Sequence, residues 1–367
     1  MTLNENIFNT KKSDYQNSSL FLGQLPGLAD TVNKRYPKIW DLYKKMKSLD
    51  WDENEFDFSP CNTEFKTCSK SVYEIMIRTL AWQWEADSIA ARMIAPIVAP
   101  FVTSTELWTA WQRVSDNEQL HAATYSEIVR SSFDNPDEVI VQILSVQESL
   151  TRLKTISDVM GKTYVTSHKL ALGLVDRNSQ DVYDDIFLFT VALYALERIQ
   201  FMSSFAVTFA IADTGNFIPI GKAVQKICQD EYEIHVQLDK AILDYELQTD
   251  KGLMAFNKKR DVIERIINEV VDTELEWTDN LFSEGRELVG MNATLLKQWV
   301  LYNAKEVYEF FGIKTQHQLP NKNPIPFIND WIRIDAIQPS PQEERHGAYM
   351  LGAVVNDVSE ENFDIDL

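Results

Sequence analysis

The sequence predicts an all-α fold, and the placement of proline is the first reason. No proline occurs between Pro136 and Pro219 or between Pro219 and Pro320, and both stretches are poor in glycine, as long helices require. Apolar residues within them recur every three to four positions, for example at Val224, Ile227, Cys228, Ile234 and Leu238. No sustained period-two alternation, the pattern of a strand, interrupts this spacing.

The predicted helices follow one another along most of the chain. Residues 1–35 are expected to be irregular, and a short helix follows from Lys38 to Lys47. Longer helices are expected from about Ser69 to Ala95, stopping near Pro96 and Pro100, and over roughly residues 105–132, where Thr103 or Ser104 would cap the N-terminus. Further helices are expected at about residues 136–172, 180–213, 218–248, 255–285 and 292–311.

Composition shifts near the C-terminus and suggests the domain organisation. From His317 onward the chain becomes rich in proline and then acidic. We expect one helical domain over residues 1–352, with an irregular N-terminal segment, and a disordered tail over residues 353–367.

Charge and cysteine content exclude several classes of protein. The formal net charge of −20 would repel a nucleic-acid backbone. Three cysteines form no CxxC pair and leave an odd count, which fits a reducing cytoplasm better than a disulfide framework. The polar N-terminus lacks the apolar core of a signal peptide, and no uninterrupted apolar run is long enough to span a bilayer. We therefore expect a cytoplasmic protein that binds neither nucleic acid nor membrane.

Four predicted helices carry acids inside the apolar stripe instead of opposite it. The acids and histidines that interrupt the stripes within residues 80–94, 111–128, 193–205 and 224–238 are Asp87, Glu118, His121, Glu197, Glu231 and His235. A buried, unpaired carboxylate costs several kcal/mol, and the stripes hold no matching set of lysine or arginine. Carboxylates and imidazoles that converge from four helices suit two cations, and this ligand set favours iron, manganese or zinc.

Each of these residues also has an ordinary interpretation. Alone, Glu118 and His121 would be a surface or capping pair, and Asp87 a hydrogen-bonded buried acid. Glu-x-x-His is a weak signal, because residues 343–346 match it in a segment expected to be irregular. Tyr125, one turn beyond His121, would usually be part of the core. The conjunction of six such residues is what favours a dinuclear site.

Four runs resemble the small subunit of class I ribonucleotide reductase, a ferritin-like protein. They are EADSIAARMIAP, DNEQLHAATYSEIVRSSF, YALERIQFMSSFA and NPIPFINDW. Their order and intervals also fit this family, and the similarity extends from about Ile7 to Leu367. The resemblance implies a ferritin-like bundle with additional helices and a flexible C-terminal tail.

The resemblance also implies roles for individual residues. Asp87, Glu118, His121 and Glu197 match metal ligands, with Glu118 as a bridging carboxylate. Tyr125 matches the position of a stable tyrosyl radical. The apolar pocket around this radical would consist of Phe201, Phe205 and Ile227.

A route for the radical follows from the same resemblance. Trp51 and Asp230 match the start of the electron-transfer path toward the partner subunit, and Tyr349 matches the tail tyrosine that carries the oxidation across the interface. Glu343 matches a tail acid that assists this step. The final run, NFDIDL, resembles the segment that docks into the large catalytic subunit.

The last ligand pair departs from the family pattern. The family carries Asp-Glu-x-x-His, whereas this chain has one more residue between Asp230 and His235. Counting forward from Glu197 indicates Glu231 as the ligand, and counting back from His235 indicates Tyr232. We expect Glu231 and His235, because a residue four positions on lies only ~40° around a helix and a π-bulge can absorb an extra residue.

The implied function is that of the ribonucleoside-diphosphate reductase small subunit. Its dinuclear centre, with two irons favoured and two manganese ions or one of each left open, would activate oxygen and form the tyrosyl radical for the large subunit. The resemblance further implies a homodimer and leaves open a flavoprotein activase. The alternatives are another ferritin-like dinuclear-metal oxidase or hydroxylase, which would not need the tail, and an iron-binding or structural bundle.

Overall fold

The computed structural model describes residues 9, 14–24 and 27–333, and helices account for most of them. The α-helices are α1 (Pro37–Ser48), α2 (Ser59–Thr67), α3 (Lys70–Val98), α4 (Thr105–Ser132), α5 (Pro136–Leu144), α6 (Gln147–Ala171), α7 (Gln180–Ala195), α8 (Met202–Ala212), α9 (Ile218–Asp230), α10 (Val236–Glu246), α11 (Asp250–Lys258), α12 (Arg260–Leu281), α13 (Ala293–Phe311) and α14 (Ile328–Ile332). Short 3₁₀ segments lie at Tyr15–Asn17 and Glu53–Glu55. Within the described ranges there is no strand beyond isolated bridges, so the predicted all-α fold is confirmed.

Helix α4 begins and ends where the sequence predicted. The Ser104 hydroxyl accepts a hydrogen bond from the Leu107 N–H at 3.0 Å, as an N-cap does. Ser104 therefore caps the helix, and Thr103 instead hydrogen-bonds the N-terminal segment.

Several predicted boundaries were wrong, each for a local reason. Helix α3 continues past Pro96 to Val98, because a proline this close to the helix end removes only one hydrogen bond and the buried Ile97 and Val98 secure the last turn. The predicted helix 136–172 is broken between α5 and α6 at residues 145–146. The predicted helix 255–285 likewise breaks into α11 and α12, at Lys259, and α2 and α14 were not predicted.

Two long helical runs each contain a π-helical turn. Residues 180–212 run from α7 to α8 through the π turn Leu196–Phe201, and residues 218–246 run from α9 to α10 through the π turn Glu231–His235. A π turn forms i→i+5 hydrogen bonds and absorbs one additional residue. The two π turns pack against each other.

The core extends from Leu20 to Ile328 and contains residues of nearly every helix. Helix α3 packs against α4, α6 and α8, and α4 also contacts α9. The run Gln180–Ala212 is long and apolar enough to cross a membrane, although the sequence showed no uninterrupted span. Its apolar window is entirely buried by other helices, so it is the central helix of the core.

Candidate metal centre

Six predicted ligands converge at the middle of the bundle, and we call them the ligand cluster. The cluster consists of Asp87 from α3, Glu118 and His121 from α4, Glu197 from the first π turn, and Glu231 and His235 from the second. All six side chains are buried, none more than 2% exposed. Four carboxylates thus lie in the interior, and the ligand cluster contains no lysine or arginine that could pair with them.

The cluster forms two overlapping groups. In one, Asp87, Glu118, His121 and Glu231 each offer a ligand atom within 4.8 Å of the others. In the second, Glu118 and Glu231 recur together with Glu197 and His235. Each group thus has its own histidine and its own terminal carboxylate, and the two groups share two carboxylates. This is the donor arrangement that two neighbouring cations with bridging carboxylates require.

The polar atoms of the cluster have few hydrogen bonds. Both carboxylate oxygens of Asp87, Glu118 and Glu231 are buried without a hydrogen-bond partner among the described residues. His235 Nδ1 lies 2.6 Å from Glu231 Oε2, and His121 Nδ1 lies 3.1 Å from Glu231 Oε1, yet neither contact has hydrogen-bond geometry. Buried polar groups in proteins normally have hydrogen-bond partners, so two groups of unpartnered ligand atoms that lie close together indicate a pair of metal ions. The residues present therefore fit two metal ions.

The pKa values of the cluster members show that the cluster favours added positive charge. Burial, together with the neighbouring Glu118, raises the pKa of Asp87 well above its ordinary range, and burial with Glu231 does the same for Glu197. Burial acts to lower the pKa of His235, but Glu231 and Glu118 together more than offset this effect and raise the pKa to about 10. The raised pKa values show that the cluster favours added positive charge, which protons or cations can supply.

The second π turn explains how the extra residue is accommodated. The wider turn brings Glu231 and His235, four positions apart, onto the side that faces the ligand cluster. Tyr232 instead packs beside Arg198, whose guanidinium lies 5.4 Å from the ring centroid, and Glu233 pairs with Lys45 at 2.6 Å. The structure thus brings Glu231 into the cluster and leaves Tyr232 outside it.

Tyr125 lies one turn beyond His121 and is buried. Its hydroxyl has no hydrogen-bond partner among the described residues, and burial together with Asp87 raises its pKa well above the ordinary value. Phe201, Phe205 and Ile227 are all buried too, and they lie on the two long helical runs, residues 180–212 and 218–246, that also carry Glu197 and Glu231.

A line of polar contacts leads out from the cluster. His121 Nε2 lies 3.1 Å from Asp230 Oδ2, and Trp51 Nε1–H donates to the same oxygen at 2.8 Å. The rings of Trp51 and His121 are nearly parallel with centroids 6.1 Å apart. Trp51, from the segment after α1, is thereby joined to the ligand cluster through one carboxylate.

Some predicted residues are not part of this arrangement. Tyr349, Glu343 and the NFDIDL end lie outside the described residues, as does the boundary predicted at residues 352–353. Conversely, sequence reasoning missed Asp239, a buried acid one turn past His235. Burial raises the pKa of Asp239, and His235 partly opposes this effect. The sequence did contain a signal for Asp239, because this acid stands four residues after a candidate ligand and so lies on the same face of a helix.

Comparison with known proteins identifies relatives along nearly the whole chain. Residues 29–324 match the family model described as "Ribonucleotide reductase, small chain". A "Ribonucleoside-diphosphate reductase subunit beta" of Buchnera aphidicola subsp. Schizaphis graminum is 27% identical over 375 residues, covering 97% of each chain. "Ribonucleoside-diphosphate reductase 1 subunit beta" of Salmonella typhimurium is 26% identical over 366 residues, covering 96% of each chain.

Solved structures with the same fold include two bacterial proteins. The ribonucleotide reductase R2 subunit from Clostridium botulinum has a TM-score of 0.77 and 19% identity, over 89% of this chain and 98% of that one. The dimanganese(II)-NrdF of Streptococcus sanguinis has a TM-score of 0.66 and 12% identity, over 83% of this chain and 98% of that one. These likenesses confirm the predicted ferritin-like helical bundle.

Proposed function

Because this chain belongs to the family of ribonucleotide reductase small chains, we propose that it uses oxygen and a dinuclear metal centre to form a radical on Tyr125. It is the small subunit of a class I ribonucleoside-diphosphate reductase, an oxidoreductase, and it acts with the large subunit. The observation that carries the proposal is the pair of overlapping ligand groups with Tyr125 beside them.

The ligand cluster would hold the two metal ions. Glu118 and Glu231 belong to both groups and would bridge, while His121 and His235 would each bind one ion. Four carboxylates carry the charge that neutralises two divalent cations. When bound, two reduced iron or manganese ions would supply the electrons that reduce oxygen and the oxidising power that follows. The donor set suits both metals, and the choice between them depends on supply and on the groups around the ligands.

Tyr125 is suited to lose an electron and its hydroxyl proton and then to keep the resulting radical. Burial, with Asp87 and Glu231 nearby, raises the pKa of its hydroxyl, so the proton stays on the tyrosine until the electron leaves. Phe201, Phe205 and Ile227 would form a dry wall without hydrogen donors that could quench the radical.

Trp51 is suited to pass the oxidation onward. When the indole loses an electron, Asp230 can accept its proton along the 2.8 Å hydrogen bond. We propose that Tyr349 receives the oxidation next and that Glu343 assists the transfer of its proton. Residues 353–367 would form a tail that docks into the large subunit, with the rest of the chain as one domain.

Further features of the proposal follow from the same family. The chain would act as a homodimer in the cytoplasm, without nucleic acid or membrane as a partner. A flavoprotein activase would be a further partner if the oxidant is a reduced-oxygen species instead of oxygen itself.

Metal loading followed by low-temperature EPR tests the proposal. The metal-free protein receives ferrous iron and then oxygen, and the expected result is a tyrosyl doublet that is absent from Tyr125→Phe. Manganese with an activase provides the second loading condition. The proposal fails if neither condition yields a tyrosyl signal in a protein that binds two metal ions, or if the signal persists in Tyr125→Phe.

A further inference from the structure

A buried arginine lies between two tryptophans that belong to two other helices. The Arg152 guanidinium on α6 lies 3.8 Å from the ring centroid of Trp82 on α3 and 3.7 Å from that of Trp277 on α12. Glu274 binds the edge of the guanidinium through two hydrogen bonds of 2.8 Å. Arg152 and Glu274 are both buried, and the group stacked on the two indoles is the cation.

This stack reaches the proposed radical pocket. The Trp82 ring centroid lies 4.9 Å from that of Phe201, and Trp82 precedes Asp87 by five residues on α3. The Gln200 side chain, from the same π turn as Glu197, donates to Glu274 at 3.1 Å. Trp277, at the far end, is 5% exposed. Phe201, Trp82, the Arg152 guanidinium and Trp277 therefore form one stack that begins at the pocket and ends at a ring with a small exposed fraction.

Tryptophan and tyrosine are the side chains that an oxidising centre removes electrons from most readily. If the proposed function is right, Trp82 competes with Tyr125 and Trp51 for the oxidising equivalent. Loss of that equivalent along Trp82 and Trp277 would leave the subunit without its radical.

Trp51 and Trp82 are both buried, but their N–H groups have opposite surroundings. The Trp51 N–H donates to the Asp230 carboxylate, which can take its proton and leave a neutral radical. The Trp82 N–H has no acceptor within the described part of the chain, so electron loss would leave a radical cation. That positive charge would form directly against the Arg152 guanidinium, which stays protonated in proteins.

We propose that Arg152 is an electrostatic barrier that keeps Trp82 reduced and so directs the oxidation to Tyr125 and Trp51. A cation stacked on a neutral indole is attracted by its π face, but the attraction becomes repulsion once the ring has lost an electron. The step that the barrier suppresses is one-electron transfer from Trp82 to the oxidised centre. The centre is reduced by one electron, Trp82 becomes a radical cation, and no proton moves. This inference rests on the proposed function.

The test removes the charge without leaving a lone buried ion. In Arg152→Gln/Glu274→Gln both charges are lost, while amides can still hydrogen-bond Gln200. After iron and oxygen are added to the full-length protein, freeze-quench EPR with ring-deuterated tryptophan should show a tryptophan radical that the parent lacks. Its yield relative to the tyrosyl radical should rise at least about tenfold, the equivalent of about 1.4 kcal/mol of barrier.

Two further variants separate the barrier from a structural role. Adding Trp82→Phe to the double variant should abolish the tryptophan signal and restore the tyrosyl yield. Arg152→Lys keeps a cation and should behave as the parent does. The inference is overturned if the double variant, with two metal ions bound and a parent-like melting curve, gives the parent's tyrosyl yield and no tryptophan radical.

The metal-free protein gives an independent test. Ultraviolet ionisation of frozen samples ejects electrons from tryptophan without any metal chemistry. EPR should then detect a signal in Arg152→Gln/Glu274→Gln that is absent when Trp82→Phe is added, and little of that signal in the parent. Equal Trp82 signals in the parent and the double variant would refute the barrier, whether or not the parent forms a tyrosyl radical. A parent that never forms a tyrosyl radical would instead count against the proposed function alone.

Discussion

Adding two divalent metal ions to the metal-free protein should release protons from the ligand cluster. The pKa of each of four cluster members is raised, namely those of Asp87, Glu197, His121 and His235. Metal ligands must be deprotonated to bind, so the incoming cations displace the protons that these groups hold.

The number of protons released follows from the number of groups whose pKa is raised. At most about four protons leave per metal pair near neutral pH, and each changes the binding free energy by about 1.4 kcal/mol per pH unit. Metal binding should therefore tighten by up to about 5 kcal/mol per pH unit where all four groups hold their protons. Asp87→Asn should release about one proton fewer, because it removes one of the four groups.

The same groups set the sign of the stability change. A raised pKa means that the folded chain holds the proton more tightly than the unfolded chain does. The stabilisation from His235 is thus complete below its ordinary pKa of 6.5 and is lost as pH rises through about 10. Between these values the metal-free protein should lose stability while metal binding strengthens.

Anaerobic titration calorimetry in two buffers of different ionisation enthalpy measures this proton release directly. The expected result is a release of two to four protons for each pair of Mn²⁺ ions, roughly one fewer in Asp87→Asn. Binding of two ions with no proton release, or with equal release in Asp87→Asn, would show that the cluster does not hold the protons that its geometry implies.

Three other predictions concern single side chains. Asp230→Asn should retain metal and the Tyr125 radical but slow nucleotide reduction about a hundredfold, because the amide cannot take the Trp51 proton; equal turnover would contradict this. Arg152→Met should destabilise the protein by about 3–5 kcal/mol by leaving Glu274 unpaired, and adding Glu274→Met should restore most of that loss in chemical denaturation. Tyr232→Phe should bind two metal ions by elemental analysis, whereas Glu231→Gln should bind fewer; the reverse pattern would make Tyr232 the ligand.

The sequence predicted helices best where several local signals agreed. Helix α4 has an apolar stripe that continues on both sides of Glu118 and His121, together with a serine cap, and its bounds were predicted correctly. Helix α3 was predicted to extend to about Ala95 and to stop near Pro96 and Pro100, but it continues to Val98, because burial of the residues after Pro96 outweighs one missing hydrogen bond. Burial of this kind depends on distant helices, which one sequence does not reveal.

The residues of the candidate site were predicted, but the backbone conformation that positions them was predicted only in part. Acids and histidines within apolar stripes indicated the six members of the ligand cluster before any contact was known. The π turn at Leu196–Phe201 was not predicted, because hydrogen-bond register has no signature in residue type. The π turn at Glu231–His235 did have a signature in the sequence, since an extra residue stood between two candidate ligands. The stack around Arg152 depends on three helices meeting, and no spacing within any one of them indicates it.

Anomalous diffraction from crystals loaded anaerobically with iron or manganese would show whether the ligand cluster holds two metal ions. We expect two peaks about 3.5–4 Å apart, the separation usual for paired metal sites. One peak should lie beside His121 and the other beside His235, with Glu118 and Glu231 contacting both. A single peak, no peak, or metal bound away from these residues would show that the ligand cluster is not a dinuclear metal site.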